Sequence, residues 1–101
     1  MWEEVLDCAP GARMRVEFRT VRGVVVDYSV VLLLATDDEV ETIRVYDSAH
    51  GYNEMHRYTR SGGKQVGVEF LGGANLGEGM RVAMEEIKRG CLGMIEGWRW
   101  T

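Results

Sequence analysis

The chain has 101 residues, 46% of them hydrophobic and 28% charged, and a formal net charge of -4. That length supports one hydrophobic core and not two, so residues 1–101 read as a single domain, and the apolar fraction excludes disorder as the default state. The longest apolar run, near Val30 to Ala35, is far short of the ~20 residues a membrane helix needs. The acidic start Met1-Trp2-Glu3-Glu4 is unlike the basic head of a signal peptide, so a cytoplasmic location without membrane contact is expected. An acidic chain is also a poor non-specific coat for nucleic acid.

In chain order, residues 1–12 form a short lead-in, with one helical turn expected from Trp2 to Cys8 and a stop at Pro10-Gly11. From Met14 the pattern has period two. Met14, Val16, Phe18 and Thr20 face one way and Arg13, Arg15, Glu17 and Arg19 the other, as in a half-buried strand. Arg22-Gly23 is a tight turn. Val24 to Ala35, VVVDYSVVLLLA, is apolar on both faces, which predicts a central strand. Thr36-Asp37-Asp38-Glu39 is an acidic turn, and a third strand follows from Glu41 to Asp47.

Ser48 to Asn53 has the turn-forming content of a hairpin connection, and Glu54 to Arg60 reads as a polar strand near an edge. Ser61-Gly62-Gly63-Lys64 is another turn, after which Val66, Val68 and Phe70 alternate along a fifth strand. Every connection is too short for a helical crossover, so the strands form an antiparallel meander. Asn75 followed by Glu78 is a capping box. Apolar residues then recur at steps of three and four from Leu76 through Met80, Ile87, Cys91 and Ile95 to Trp98, the period of a helix with one buried stripe. Gly90, Gly93 and Gly97 weaken that helix, which is expected to end or bend near Gly90. The fold class is therefore α+β: an antiparallel β-meander of four to five strands with a C-terminal helix packed on one face.

Cys8 and Cys91 lie at opposite ends of the chain without a CxxC or zinc-ligand spacing, and read as two reduced thiols with Cys91 in the core. Chemistry concentrates instead between Arg44 and Arg60. This stretch holds both histidines, and residues 43–64 carry four basic residues against two acidic ones, the one net-positive part of the chain. A histidine near neutral pKa can take or give a proton, arginine can hold a phosphate bidentately, and tyrosine can stack a base. His50, His56 and Asp47 are the candidate catalytic residues. Arg44, Arg57, Arg60 and Tyr46 are the candidate substrate-binding residues. Whether Arg44 shares a sheet face with His56, Tyr58 and Arg60 or with Met55, Arg57 and Thr59 depends on a register that the sequence leaves open. A metal site from Asp47, His50 and His56 is the lesser alternative, because the spacing matches no helical HxxxH or HExxH pattern, and no metal or cofactor is expected.

The run IRVYDSAHGYNEMHRYTR, with Arg44, Tyr46, Asp47, Ala49, His50, Gly51 and the second histidine His56, resembles a motif of small prokaryotic domains near the TumE-type toxins of bacterial toxin–antitoxin pairs. The resemblance covers about eighteen residues and reaches Arg44, Asp47, His50 and His56. It implies a small cytosolic α+β protein that acts on RNA and has a cognate antitoxin as partner. Arg57, Tyr58 and Arg60 stand where those toxins carry further histidines. The alternatives are a non-catalytic interaction module, self-associating or paired with another protein through Trp2, Trp98 and Trp100, and a domain whose polar hairpin only solvates a sheet edge.

Overall fold

The computed structural model describes residues 1–64, 69–70 and 73–101. Its strands are β1 (Trp2–Val5), β2 (Ala12–Val21), β3 (Val24–Ala35), β4 (Val40–Asp47), β5 (Glu54–Thr59), β6 (Gly63–Lys64) and β7 (Glu69–Phe70), followed by one helix, α1 (Leu76–Arg99). All the strand pairings described are antiparallel, in the spatial order β1-β2-β3-β4-β5-β6, and β7 pairs with β5 beyond the stretch that β6 covers. The meander and its C-terminal helix are thus as expected. The expected strand positions Val66 and Val68, and the sheet-ending Leu71-Gly72, lie outside the described residues; Phe70 is in β7.

Two expectations about the elements are corrected. The lead-in is no helical turn: Trp2 to Val5 pairs with Val16 to Arg13 as an edge strand. Four residues cannot form a stable helix alone, and the exposed backbone of β2 offers them a complete ladder. Nor does α1 break at Gly90; it runs unbroken to Arg99, because packing of its apolar stripe outweighs the ~1 kcal/mol that each interior glycine costs.

The core lies between the helix and one face of the sheet. Met14 and Val16 from β2, Val30 and Leu32 from β3, Tyr46 from β4 and Met55 from β5 meet Ala83, Ile87, Cys91, Ile95 and Trp98. β3 is the central strand, as its two-sided apolar run requires. Its partner β4 skips one residue: Leu32 faces Arg44 and Leu33 faces Thr42, so Ile43 bulges and turns inward to the core. The β2–β3 turn at Arg22-Gly23 has both residues at positive φ, 52° and 78°, the backbone a two-residue hairpin demands.

The helix start is tied to the sheet by polar contacts. Asn75 Oδ1 accepts from the Glu78 N–H at 2.8 Å, and Glu78 Oε2 accepts from the Ala74 N–H at 3.1 Å, a capping box displaced by one residue. Asn53, just ahead of β5, donates through Nδ2 to the Asn75 carbonyl at 3.2 Å and accepts from the buried Tyr28 hydroxyl at 2.8 Å. Its amide fills the space where a Cβ on Gly79 would stand, so glycine is required there. This side chain ties the loop from Ser48 to Asn53 to both β3 and the helix N-terminus.

The two cysteines are not reduced thiols. Cys8 and Cys91 form a disulfide with Cα atoms 6.2 Å apart, joining the segment after β1 to the middle of α1 across 83 positions of sequence. The sequence offers no spacing signal for it because the pairing is made by tertiary structure.

Two outcomes follow from this packing. A crosslink that closes a loop of this length removes about 4 kcal/mol of unfolded-state entropy in the chain-entropy view. Reduction, or a paired Cys8→Ser and Cys91→Ser change, should therefore lower stability by ~2–4 kcal/mol, read as a lower urea midpoint. Burial pushes Tyr28, beside the negative Asp47, and Tyr46, despite the neighbouring Arg44, from 10.0 up to about 12. The native state therefore holds protons that the unfolded chain releases above pH 10. The contribution of these two tyrosines should be constant below that pH, and stability should fall progressively from pH 10 toward pH 12, with tyrosinate ultraviolet absorbance appearing as the fold is lost.

Candidate functional site

The β4–β5 register decides what can meet. Asp47 faces Glu54, Tyr46 faces Met55, Val45 faces His56 and Arg44 faces Arg57. Successive side chains point to opposite faces. Tyr46 and Met55 belong to the core beneath the helix, so Arg44 and Arg57 share the helix side while Asp47, Glu54 and His56 lie on the other. Of the two sets the sequence left open, Met55, Arg57 and Thr59 is the one beside Arg44.

On the face away from the helix, the three candidate catalytic residues converge through a fourth that the sequence reading left out. Glu54 is fully buried. Its Oε1 lies 2.5 Å from His50 Nδ1, and its Oε2 lies 3.3 Å from His56 Nε2. His56 Nε2 is also 3.7 Å from Asp47 Oδ2. His56 is 3% exposed and Asp47 partly buried, whereas the His50 side chain is 66% exposed. The result is a continuous chain of groups from a solvent-facing imidazole, through a buried carboxylate, to a buried imidazole and a second carboxylate. Among the described residues, Glu54 Oε2 and His56 Nδ1 make no hydrogen bond.

Local structure holds His50 in reach. Asp47 Oδ1 accepts from the Ala49 N–H at 3.2 Å, an Asx turn that starts the connection, and Gly51 closes it at φ 85° with its N–H on the Ser48 carbonyl at 2.9 Å. Ser48 itself is anchored on β3, where its Oγ accepts from the Tyr28 N–H at 2.9 Å. The loop therefore curls back over the start of β5. Tyr52, half exposed, places its ring 6.3 Å from that of His50.

The strand expected over Glu54 to Arg60 does form near an edge, as Glu54–Thr59, one short strand from the end of the sheet, but the alternative that it only solvates that edge is not met at its start. Glu54, Met55 and His56 are buried, and β5 is paired along both sides, with β4 on one and with β6 and β7 on the other. Glu54 and His56 point into a built cluster and not into water, whereas Arg57 is exposed. Glu54 was legible in principle. It stands two residues before His56, hence on the same strand face, and four after His50.

The candidate substrate-binding residues lie elsewhere. Tyr46 is buried and donates to Glu86 Oε2 of the helix at 2.8 Å. Arg44 and Arg57 line a groove of about 240 Å³ between β4, β5 and the second half of α1, together with Tyr58, Trp98, Gly93 and Gly97. A Cβ on Gly93 or Gly97 would meet no atom within 4 Å, so these glycines leave the groove open along the helix. Arg60 sits beyond β5 with its guanidinium 5.8 Å from the Trp98 ring centre, and its N–H donates to Thr101 Oγ1 at 2.9 Å. The motif read as one site is thus two, separated by the thickness of the sheet: an acid–imidazole cluster and a guanidinium–aromatic groove.

A histidine held by a buried carboxylate with its second nitrogen toward solvent is the arrangement of an oriented acid–base group. Asp47, Glu54 and His56 offer one imidazole nitrogen and carboxylate oxygens that lie within 4.8 Å of one another, a donor set able to hold a cation. The groove has the donors and ring faces for an anionic, partly aromatic ligand.

Among curated proteins and among solved structures no significant match to the chain is found. A family model described as a domain of unknown function, DUF7718, matches residues 2–96, and the chain belongs to that family.

Proposed function

We propose that this chain is a toxin-like protein acting on RNA, with His50 as the acid–base group that works on the phosphodiester. The observation that carries the reading is the 2.5 Å contact between the exposed His50 and the fully buried Glu54. A carboxylate at Nδ1 fixes the tautomer and leaves Nε2 to exchange a proton with substrate, as acid–base catalysis requires. Tyr52 beside it supplies a ring on which an unpaired base can stack. Single-stranded RNA suits such a site because its bases are free to splay onto an aromatic side chain. Asp47 and His56 act behind Glu54 and are positioning residues for it.

This reading modifies the roles of the arginines. One phosphate cannot touch both faces of a sheet, so Arg44 and Arg57 do not clamp the phosphate at which His50 acts. They suit a second, more distant phosphate or the anionic group of another ligand.

A second reading, a self-associating module, is favoured by the sheet's outer edge. β1 has an unpaired side among the described residues, and next to it Trp2 and Phe18 stack edge to face at 5.9 Å while partly exposed. Exposed aromatic pairs on an open strand edge are suited to pairing with a second copy.

Two measurements separate these readings. Purified protein should cleave a labelled single-stranded RNA, and His50→Ala should reduce the rate ~100-fold or more while the protein stays folded, with a lowered melting temperature because the buried Glu54 loses its Oε1 partner. Equal rates in the two proteins would remove His50 from the reaction. For self-association, sedimentation should show a concentration-dependent dimer that Trp2→Ser abolishes. A monomer at all concentrations would rule that reading out.

A further inference from the structure

We infer that Asp47, Glu54 and His56 form a binding site for one divalent transition-metal ion. The inference rests on reading this cluster as the working site and is independent of RNA being its substrate. Cation-oxygen and cation-nitrogen bonds of ~2.0–2.2 Å in a tetrahedral arrangement place neighbouring donors about 3.3–3.6 Å apart. His56 Nε2 lies 3.3 Å from Glu54 Oε2 and 3.7 Å from Asp47 Oδ2, and the three donors all fall within 4.8 Å of one another. Two of the three spacings already suit an ion at their centre, and the third, within 4.8 Å, closes by rotation of the Asp47 or Glu54 carboxylate through about an ångström at most.

A second observation points the same way. Glu54 Oε2 is buried and, among the described residues, makes no hydrogen bond, although it is aimed at His56 Nε2. Burying a carboxylate oxygen without a hydrogen bond is costly, and placing a second carboxylate beside the same imidazole nitrogen adds like-charge repulsion. The register keeps arginine out: Arg44 and Arg57 face each other on the opposite side of the sheet. A cation held by Oε2, Oδ2 and Nε2 satisfies these groups together.

The rest of the cluster fits a metal centre. The other Glu54 oxygen is already held by His50 Nδ1, the kind of outer contact that orients a ligating carboxylate. Asp47 and Glu54 are directly opposed on paired strands and His56 is two residues from Glu54, so the donors stand on a rigid sheet and not on a loop. Three protein donors leave a coordination position for water or for a phosphate oxygen, the pattern of a catalytic site. One imidazole with two carboxylates favours zinc or manganese over magnesium or calcium, which prefer all-oxygen shells. The ion would also bring the positive charge that the arginines, on the other face, do not supply to a phosphate near His50.

The test is calorimetric titration of the full chain, stripped with a chelator, using zinc chloride and, separately, manganese chloride. Both cysteines are in the disulfide, so no thiol competes for the ion. The expected result is one equivalent bound, with affinity lowered 10-fold or more by Glu54→Gln and by Asp47→Asn. A Glu85→Gln control on the exposed face of α1 should bind as the unchanged protein does. Asp47 is partly exposed, so Asp47→Asn decides the matter if Glu54→Gln fails to fold, with melting temperatures recorded for both. The absence of saturable one-to-one binding by either ion, or affinity unchanged in the folded variants, overturns the site. Running the RNA assay on stripped and reloaded protein separates the two proposals. Metal binding without cleavage overturns the RNA reading alone, and cleavage by stripped protein that binds neither ion overturns the metal site alone.

Discussion

Asp47 stands opposite Glu54, and with that one alignment every other side chain of the β4–β5 hairpin is assigned a face. With β4 held by β3, a slip of β5 by a single residue would carry Met55 out of the core and drive Glu54 and His56 under the helix, where nothing apolar could satisfy them. The register is therefore fixed from both sides. Tyr46 fills the core and reaches Glu86 on α1, while across the sheet Glu54 is closed in between two imidazoles. Hydrophobic burial on one face and the contact of Glu54 with His50 and His56 on the other are made by the same pairing.

The loop that carries His50 depends on the helix cap for its shape. Asn53 touches Tyr28 on the central strand and the carbonyl of the N-cap residue Asn75 at once, and Gly79 leaves room for it. Sheet, loop and helix start share one side chain. A change that moves the beginning of α1 therefore reaches the loop carrying His50 through Asn53, although the helix and the cluster occupy opposite faces.

Most of the fold was legible because it follows from patterns with a clear physical period. The two-sided apolar run of β3, the alternation of β2, the Arg22-Gly23 turn and the three-four spacing after Asn75 each state one element and one orientation. What stayed hidden was set by partners distant in sequence. Trp2 to Val5 is a strand only because β2 has a free edge, and Cys8 meets Cys91 only because β1 and the middle of α1 are brought together. At the site, Asp47, His50 and His56 were legible as chemistry and do converge. Arg44 and Arg57 were read with them because composition records what a segment contains but not which face each residue takes. Glu54, which joins the two histidines, passed as one more charge on a polar strand.

The bond between Cys8 and Cys91 has a consequence for the molecule as an object. It turns nearly the whole chain, from the end of β1 to the middle of α1, into a closed ring. A single cut in the exposed acidic turn from Thr36 to Glu39, or in the loop that carries His50, opens the ring without dividing the molecule. Both pieces stay in one covalent body, with the sheet able to re-pair across the nick. Damage at these two exposed loops is thus kept from becoming loss of either half.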